Sequence, residues 1–273
     1  MEGKADLHMH SIYSDGVLTI EALVKRTKEA GLNIISITDH DNASGIDEAI
    51  RVGKEVGVEV IPGMEISANV GEQDIHILGY FFDHTDTKLQ EYLSLFRAER
   101  VKRAERIVEK LNGMKIPLTM EAVLDKAGRG SVGRPHIANA LVEGGLTGTY
   151  HEAFLKYIGF GKPAYEKKYQ ISPREAVELI SSAGGLSFVA HPGNSIDEKL
   201  LLTLIREGLD GIEVVHPSHS PERVAYYNGI VSEYFLLASG GSDFHGGKRN
   251  DADVLGKYFI SEKHLDMMRH QLQ

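Results

Sequence analysis

Apolar and polar residues change rhythm at regular intervals along the chain, and the rhythm sets out the elements. In residues 6–10 they alternate, so that on a strand Asp6, His8 and His10 share one face while Leu7 and Met9 share the other. Residues 18–31 place apolar side chains at helical spacing behind Thr19, a residue suited to capping a helix, and stop at Gly31. An apolar run over 33–41 follows, the pattern of a strand covered on both faces in a parallel sheet. A helix over 44–56 and strands over 58–66 and 74–80 continue the series, the last with His76 inside it. Three further apolar strands, 185–193, 210–219 and 236–245, each run into histidine. Strand after strand with a helix usually between them predicts an α/β fold in which the units close into a parallel barrel.

Between 86 and 165 the rhythm breaks. Leu89, Leu93 and Phe96 start a helix that turns highly charged over 97–106 and runs to Leu111. Acid and base are mixed there, with Glu99 four residues before Arg103, which predicts a solvated face. Helical patterns over 119–126 and 134–143 precede a stretch rich in Gly and Tyr that ends at Tyr165. The expected organisation is a (β/α) barrel catalytic domain from residues 1–95 and 165–273, with residues 96–164 as a helical insertion over its active site.

Composition narrows the classes. A chain of 273 residues with 42% apolar residues can bury a sizeable core. Its longest apolar runs, such as 235–238, are far too short to span a bilayer, and the first strand begins without a signal peptide, so a cytoplasmic protein with no membrane partner is expected. The absence of cysteine excludes disulfides, thiolate zinc sites and a Cys nucleophile, leaving any metal to the 13 His and 39 acidic residues. A formal charge of −9 argues against a general grip on long nucleic acid, whereas small anions remain compatible with a metal cluster that offsets the charge locally.

Most of the strands end in ligand-type residues. In a parallel barrel those ends gather at one mouth, where the reacting groups of such folds sit. Four motifs carry a resemblance: His8-Met9-His10 with Asp15-Gly16; Thr38-Asp39-His40; Pro62-Gly63-Met64-Glu65 with His76; and Ala190-His191-Pro192 with Ser242-Asp243-Phe244-His245. Through them the chain resembles the PHP family, named for polymerase and histidinol phosphatase members. The insertion with Gly133-Arg134-Pro135-His136, and His219-Ser220-Pro221-Glu222 further on, resemble its metal-dependent phosphoesterase subgroup.

The resemblance implies a distorted seven-stranded (β/α) barrel of PHP type with a helical insertion domain, and two or three divalent metal ions. His8, His10, Glu65 and Asp243 would hold one ion; Glu65, His76 and His191 a second, with Glu65 bridging; and Asp15, His40 and His245 a third. Ligands of mixed imidazole and carboxylate suit Mn²⁺, Fe²⁺ or Zn²⁺ better than Mg²⁺, and Mn²⁺ is favoured. The expected reaction is hydrolysis of a small phosphorylated substrate, a nucleotide such as AMP or a 3′,5′-bisphosphonucleoside, by attack of a metal-activated hydroxide. Arg134 is the candidate for holding phosphate, since a guanidinium fork matches its oxygens. His136 and His219 are candidates for binding phosphate or protonating the leaving oxygen, and Asp6 and Asp39 for orienting ligand imidazoles. His216 falls outside the family pattern and is left out of the site. Three alternatives stand beside this reading: a 5′-to-3′ exonuclease on short RNA, with Tyr150, Phe154, Tyr157, Phe160 and Tyr165 as stacking aromatics; a histidinol-phosphate phosphatase; and a non-catalytic metal-stabilised PHP module.

Overall fold

The first strands are parallel because a helix returns the chain between them. β1 (Lys4–Asp6), β2 (Ile34–Ile35) and β3 (Glu59–Val60) are connected by α1 (Ile20–Glu29) and α2 (Ile46–Val56). α1 starts where the Thr19 hydroxyl accepts the Ala22 N–H at 3.2 Å, and it buries Ile20, Leu23, Val24 and Thr27 on one face. The structure, a computed structural model, describes residues 3–128, 130–169, 171–193, 196–247 and 251–273.

Only Ile61 and Pro62 separate β3 from β4 (Gly63–Val70), too few for another crossover helix, and the chain passes into a second sheet. β4 reverses through Gly71 and Glu72 into β5 (Gln73–Tyr80); Gly71 stands at φ 61°, and so short a loop makes the pair antiparallel. Next come α3 (Thr87–Gly113), α4 (Met120–Ala127), α5 (Arg134–Glu143), α6 (Tyr150–Ala153), a π-helical turn (Phe154–Ile158) and α7 (Pro173–Ser182). β6 (Leu186–Val189), α8 (Glu198–Arg206), β7 (Gly211–Val215), α9 (Pro221–Glu233), β8 (Leu237–Gly240), β9 (Ile260–Ser261) and α10 (Glu262–Gln271) complete the order.

The α/β class stands, but among the described residues the strands do not close into the single parallel ladder that a regular barrel would have. The described residues make two sheets, in the orders β3-β2-β1-β9 and β4-β5-β6-β7-β8. β4-β5, β5-β6 and β1-β9 are antiparallel, because the hairpin at 71–72 and the returning C-terminal strand override the parallel rhythm. The sheets meet at two seams held by isolated bridges rather than ladders. At one, Met9 bridges Phe244 and His8 O accepts from Asp243 N at 2.8 Å; at the other, His40 bridges Glu65 and Asp41 N donates to Glu65 O at 3.0 Å.

Three apolar clusters pack around the sheets. A fourth lies apart, built from Ala104, Ile107, Leu111, Val123, Ile137, Leu141 and Ile158 with their neighbours. α3 joins the two regions, with Leu89, Leu93 and Phe96 in the main core and its second half in the fourth cluster. Its 27 residues make a rod of about 40 Å. Among the described residues, no helix is long and apolar enough to cross a membrane.

Candidate active site

The seams position the site. β1 runs on as extended chain through Leu7 and Met9, which are buried in apolar clusters, and alternation turns His8 and His10 to the opposite side. From the facing seam Glu65, on β4, reaches between them: its Oε2 lies 3.4 Å from His8 Nε2, 3.3 Å from His10 Nε2 and 3.0 Å from His40 Nδ1. Its Oε1 lies 2.8 Å from His76 Nδ1 and 3.1 Å from His191 Nε2. Asp243 Oδ1 stands 3.4 Å from His8 Nε2 and 3.2 Å from His10 Nε2. Asp15 Oδ1 is 3.4 Å from His245 Nε2 and 3.9 Å from His40 Nε2. His8, His10, Asp15, His40, Glu65, His76, His191, Asp243 and His245 thus come together from six separate stretches of sequence, and they fall into groups whose ligand atoms lie within 4.8 Å of one another. His191 at φ 25° and Asp243 at φ 50° are held in a conformation that side-chain-bearing residues avoid, a strain found where geometry is imposed by a site.

The electrostatics suit cations. Burial would raise the Glu65 carboxyl, yet His40, His76 and His8 hold it well below the usual range. Burial likewise opposes ionisation of Asp243 and Asp15, and the surrounding imidazoles, His8 and His10 for the first and His40 and His245 for the second, hold both well below their ordinary values. Burial pushes His40 down to about 3, whereas on His10 it is outweighed by Asp243 and Glu65, which raise the ring to about 10. Nε2 of His8, His10 and His76 and Nδ1 of His40 are buried with no hydrogen-bond partner. Buried nitrogens of this kind normally find a partner, and those of His8, His10 and His40, facing the ionised Glu65 carboxylate, make a set that fits divalent ions.

Asp6 and Asp39 are close by but touch no imidazole, against expectation. Asp6 Oδ1 accepts the backbone N–H of His8 at 3.2 Å and of Ser242 at 2.9 Å; burial raises its carboxyl to about 7. Asp39 accepts from Ser11 N at 2.8 Å, Ser11 Oγ at 2.6 Å and Ser14 Oγ at 2.5 Å. Both therefore fix the backbone that carries the histidines. The carboxylate that does orient a ring is Glu213, whose Oε1 lies 2.9 Å from His8 Nδ1 and whose Oε2 accepts His191 N–H at 2.6 Å. Its signal in the sequence is a lone Glu inside the apolar strand Ile212-Glu213-Val214.

A cavity of about 380 Å³ opens beside the cluster, reached by Asp15, His40, His76 and His191. Arg100, Arg103, Arg134 and Lys168 line it with Tyr150 and Phe154. Arg134 is among the lining residues, its guanidinium 5.7 Å from the rings of both Phe154 and Tyr165. His136 and His219 are not lining residues. His136 Nδ1 accepts Gly133 N–H at 3.0 Å in the cap of its own helix. His219 uses both nitrogens internally, Nδ1–H donating to Val214 O at 2.9 Å and Nε2 accepting Gly193 N–H at 3.0 Å. His216, left out on sequence grounds, is buried with Nε2 3.5 Å from Asp243 Oδ2, and its Nδ1 accepts Ser218 N–H at 3.1 Å.

The charged face of α3 is only partly solvated. Arg100 binds Asp41 through Nε at 2.9 Å and through Nη2, and Arg103 is 4% exposed, its Nε on Glu166 O at 2.9 Å and its Nη2 without a partner. Burial, then Arg134 and Arg100, lower Arg103 to about 9. The signal was spacing: 89, 93, 96, 100, 103, 107 and 111 form one stripe, and two of its places hold Arg.

Comparison with known proteins finds similar chains. The model of the PHP domain matches residues 6–182. A 5′-3′ exoribonuclease of Haemophilus influenzae is 38% identical over 90% of this chain and 91% of its own length. A 3′,5′-nucleoside bisphosphate phosphatase of Chromobacterium violaceum is 31% identical over 91% and 90%. A solved structure from Bifidobacterium adolescentis, assigned to the metal-dependent phosphoesterases, superposes with a TM-score of 0.89 at 32% identity, covering 97% of this chain and 94% of that one.

Proposed function

The chain belongs to the PHP-domain family, whose relatives here are hydrolases of phosphate esters, and from that premise we propose that its substrate is a 5′-phosphorylated nucleotide bearing a second phosphoryl ester on its 3′ oxygen. The observation that carries this reading is one cavity with two unlike ends: the cluster of imidazoles and carboxylates, and a wall of Arg103, Arg134 and Lys168. A 3′,5′-bisphosphonucleoside and the 5′ end of a phosphorylated RNA share that pair of groups, so a single site accounts for both kinds of named relative.

His8, His10, Glu65 and Asp243 would hold one divalent ion, Glu65, His76 and His191 a second, and Asp15, His40 and His245 a third; the donor set favours Mn²⁺, with Fe²⁺ or Zn²⁺ as alternatives. Ions there supply Lewis acidity, acidifying water and offsetting charge on the phosphoryl oxygens. The chain's own groups do the rest. The cationic wall takes the 5′-phosphate as charge-assisted hydrogen bonds, which fixes the nucleotide so that its 3′ ester lies at the cluster. Tyr150 and Phe154 offer faces to the base. His216 accepts the Ser218 N–H at Nδ1, which leaves its Nε2 facing Asp243 Oδ2 at 3.5 Å to help position that carboxylate. Residues 96–164, which bring Arg103, Arg134, Tyr150 and Phe154 to the cavity, act as the cap over this site.

The test compares adenosine 3′,5′-bisphosphate with adenosine 3′-monophosphate on Mn²⁺-loaded protein. Loss of the 5′-phosphate should raise KM at least tenfold, with AMP and phosphate released from the bisphosphate in equal amounts. Equal KM values would remove the cationic wall from substrate recognition.

A further inference from the structure

The chain enters α5 along the cavity wall. Val132 is buried in the apolar cluster of the insertion, while Ser131 and Gly133, its neighbours on either side, line the cavity. Ser131 is 3% exposed; its N–H donates to Tyr13 O at 3.0 Å, and its hydroxyl has no hydrogen-bond partner. Two residues on, α5 begins at Gly133 with no side chain to cap it. Pro135 brings no N–H, and His136 and Ile137 donate to Gly133 O at 3.0 and 3.4 Å, which leaves the Arg134 N–H without an acceptor among the described residues. This helix start abuts the cationic wall. A Cβ on Gly133 would stand 3.6 Å from Arg100 Nη1, which donates to Val132 O at 3.4 Å, and one turn along α3 the buried Arg103 presents its unpartnered Nη2 at the same cavity.

We infer that Ser131 and the N-terminus of α5 form the seat of the 5′-phosphate, the Ser131 hydroxyl and the Arg134 N–H donating to its oxygens beside Arg103 Nη2. The inference rests on the proposed function and deepens it, because it adds neutral, directed donors to a wall of charges. Cations attract an anion from many directions. A hydroxyl and a backbone N–H fixed by the fold settle where it stops. A buried hydroxyl without a partner costs free energy, as does a buried helix end left open, and one phosphate oxygen beside each meets both needs. The ten residues of α5 add the partial positive charge of a helix N-terminus, the end at which backbone N–H groups hold phosphate. Two buried side chains with unpartnered donors, Ser131 and Arg103, thus come to that helix end from different elements.

Ser131→Ala removes the hydroxyl, and Thr147→Val, at another buried hydroxyl without a partner but outside the cavity lining, is the control. On Mn²⁺-loaded protein, Ser131→Ala should raise KM for adenosine 3′,5′-bisphosphate about tenfold with kcat little changed, the scale of one hydrogen bond to a charged group. KM for adenosine 3′-monophosphate should stay within twofold of wild type, and Thr147→Val should move neither value. Since the deleted hydroxyl has no partner to lose, the melting temperature of Ser131→Ala should not fall. An unchanged KM for the bisphosphate overturns the seat, and so does a rise shared by both substrates with a lower melting temperature, which would make Ser131 structural. Calorimetric titration of chelator-treated protein with AMP, whose one phosphate is the 5′ group, separates this failure from that of the enzymatic reading. Tenfold weaker binding by Ser131→Ala upholds the seat even if wild type hydrolyses neither substrate. Equal affinities, or no binding of AMP by wild type, refute it.

Discussion

Glu213 uses both of its carboxylate oxygens to organise two histidines at once. With Nδ1 of His8 taken at 2.9 Å and the backbone of His191 taken at 2.6 Å, Nε2 of His8 is left facing Glu65 and Asp243. Burial opposes its charge, but His8 and His216 hold the carboxyl below its ordinary value, so it is an acceptor and nothing else at neutral pH. Glu213→Gln keeps the shape and removes the charge. Partners of this kind set ligand orientation and basicity, and their loss typically weakens metal affinity about 10- to 100-fold. Titration of apo-protein with Mn²⁺, followed by the EPR signal of free ion, should show that weakening, and an affinity equal to wild type would assign Glu213 to folding alone. The histidines beside it were legible because alternation in residues 6–10 puts them on one face and because strands end on them. Glu213 was not, since a single acid in a short apolar strand carries no period, and Asp6 and Asp39 misled because adjacency in sequence says nothing about whether a carboxylate meets ring or backbone.

At the scale of elements, the informative contact is between α3 and the loop after β2. Asp41, fully buried, accepts Ser67 N–H at 2.7 Å through Oδ1 and the Arg100 guanidinium through Oδ2, and Arg100 also reaches Ser67 Oγ at 3.1 Å. Asp41 itself stands at φ 47°, a strained turn that these bonds hold. Breaking a buried pair by removing one charge leaves the other uncompensated and costs about 3 kcal/mol. Asp41→Asn should therefore lower stability by about that amount at pH 7 in urea melts. Burial opposes ionisation of Asp41, but Arg100 outweighs it and the folded-state value lies below the ordinary 3.8. A depressed acid stabilises above its unfolded-state value, so the difference between wild type and variant should hold from neutral pH down to about 4 and shrink as the pH falls further. A difference that stays constant through acid would mean that the pair is not its source. The helix itself was legible from its apolar positions. The inward turn of Arg100 and Arg103 was not, because mixed charge with an i,i+4 pair is also what a solvated face looks like, and only the unbroken stripe through 96, 100, 103 and 107 separates the two. The antiparallel hairpin was lost for a related reason: strands over 58–66 and 74–80 fit one parallel series, and between them a single Gly71 is a weak mark of the tight turn that reverses the chain.

For the whole molecule, the net charge of −9 and the cationic wall act together. An acidic exterior repels extended polyanions, while under the proposed function positive groups inside the cavity would hold one terminal phosphate. That contrast would favour strand ends over long strands. The two sheets share an apolar cluster, but at their seams the strands pair through isolated bridges, and Glu65 belongs to one of these through its backbone and to the centre of the cluster of ligand-type residues through its side chain. Cations gathered around that side chain would clasp the margins of both sheets, so occupancy should be readable far from any catalytic assay. The amide protons of Asp41 and Glu65, which donate across this margin to Glu65 O at 3.0 Å and Asp39 O at 3.3 Å, are natural reporters. Their deuterium uptake should accelerate on treatment with chelator and slow again when Mn²⁺ is restored, while the amide of Ile77 within the β4-β5-β6 ladder stays unchanged. Uptake insensitive to metal would mean that the margin is rigid by itself, and that the protein presents its ligands ready-made instead of being drawn shut by what it binds.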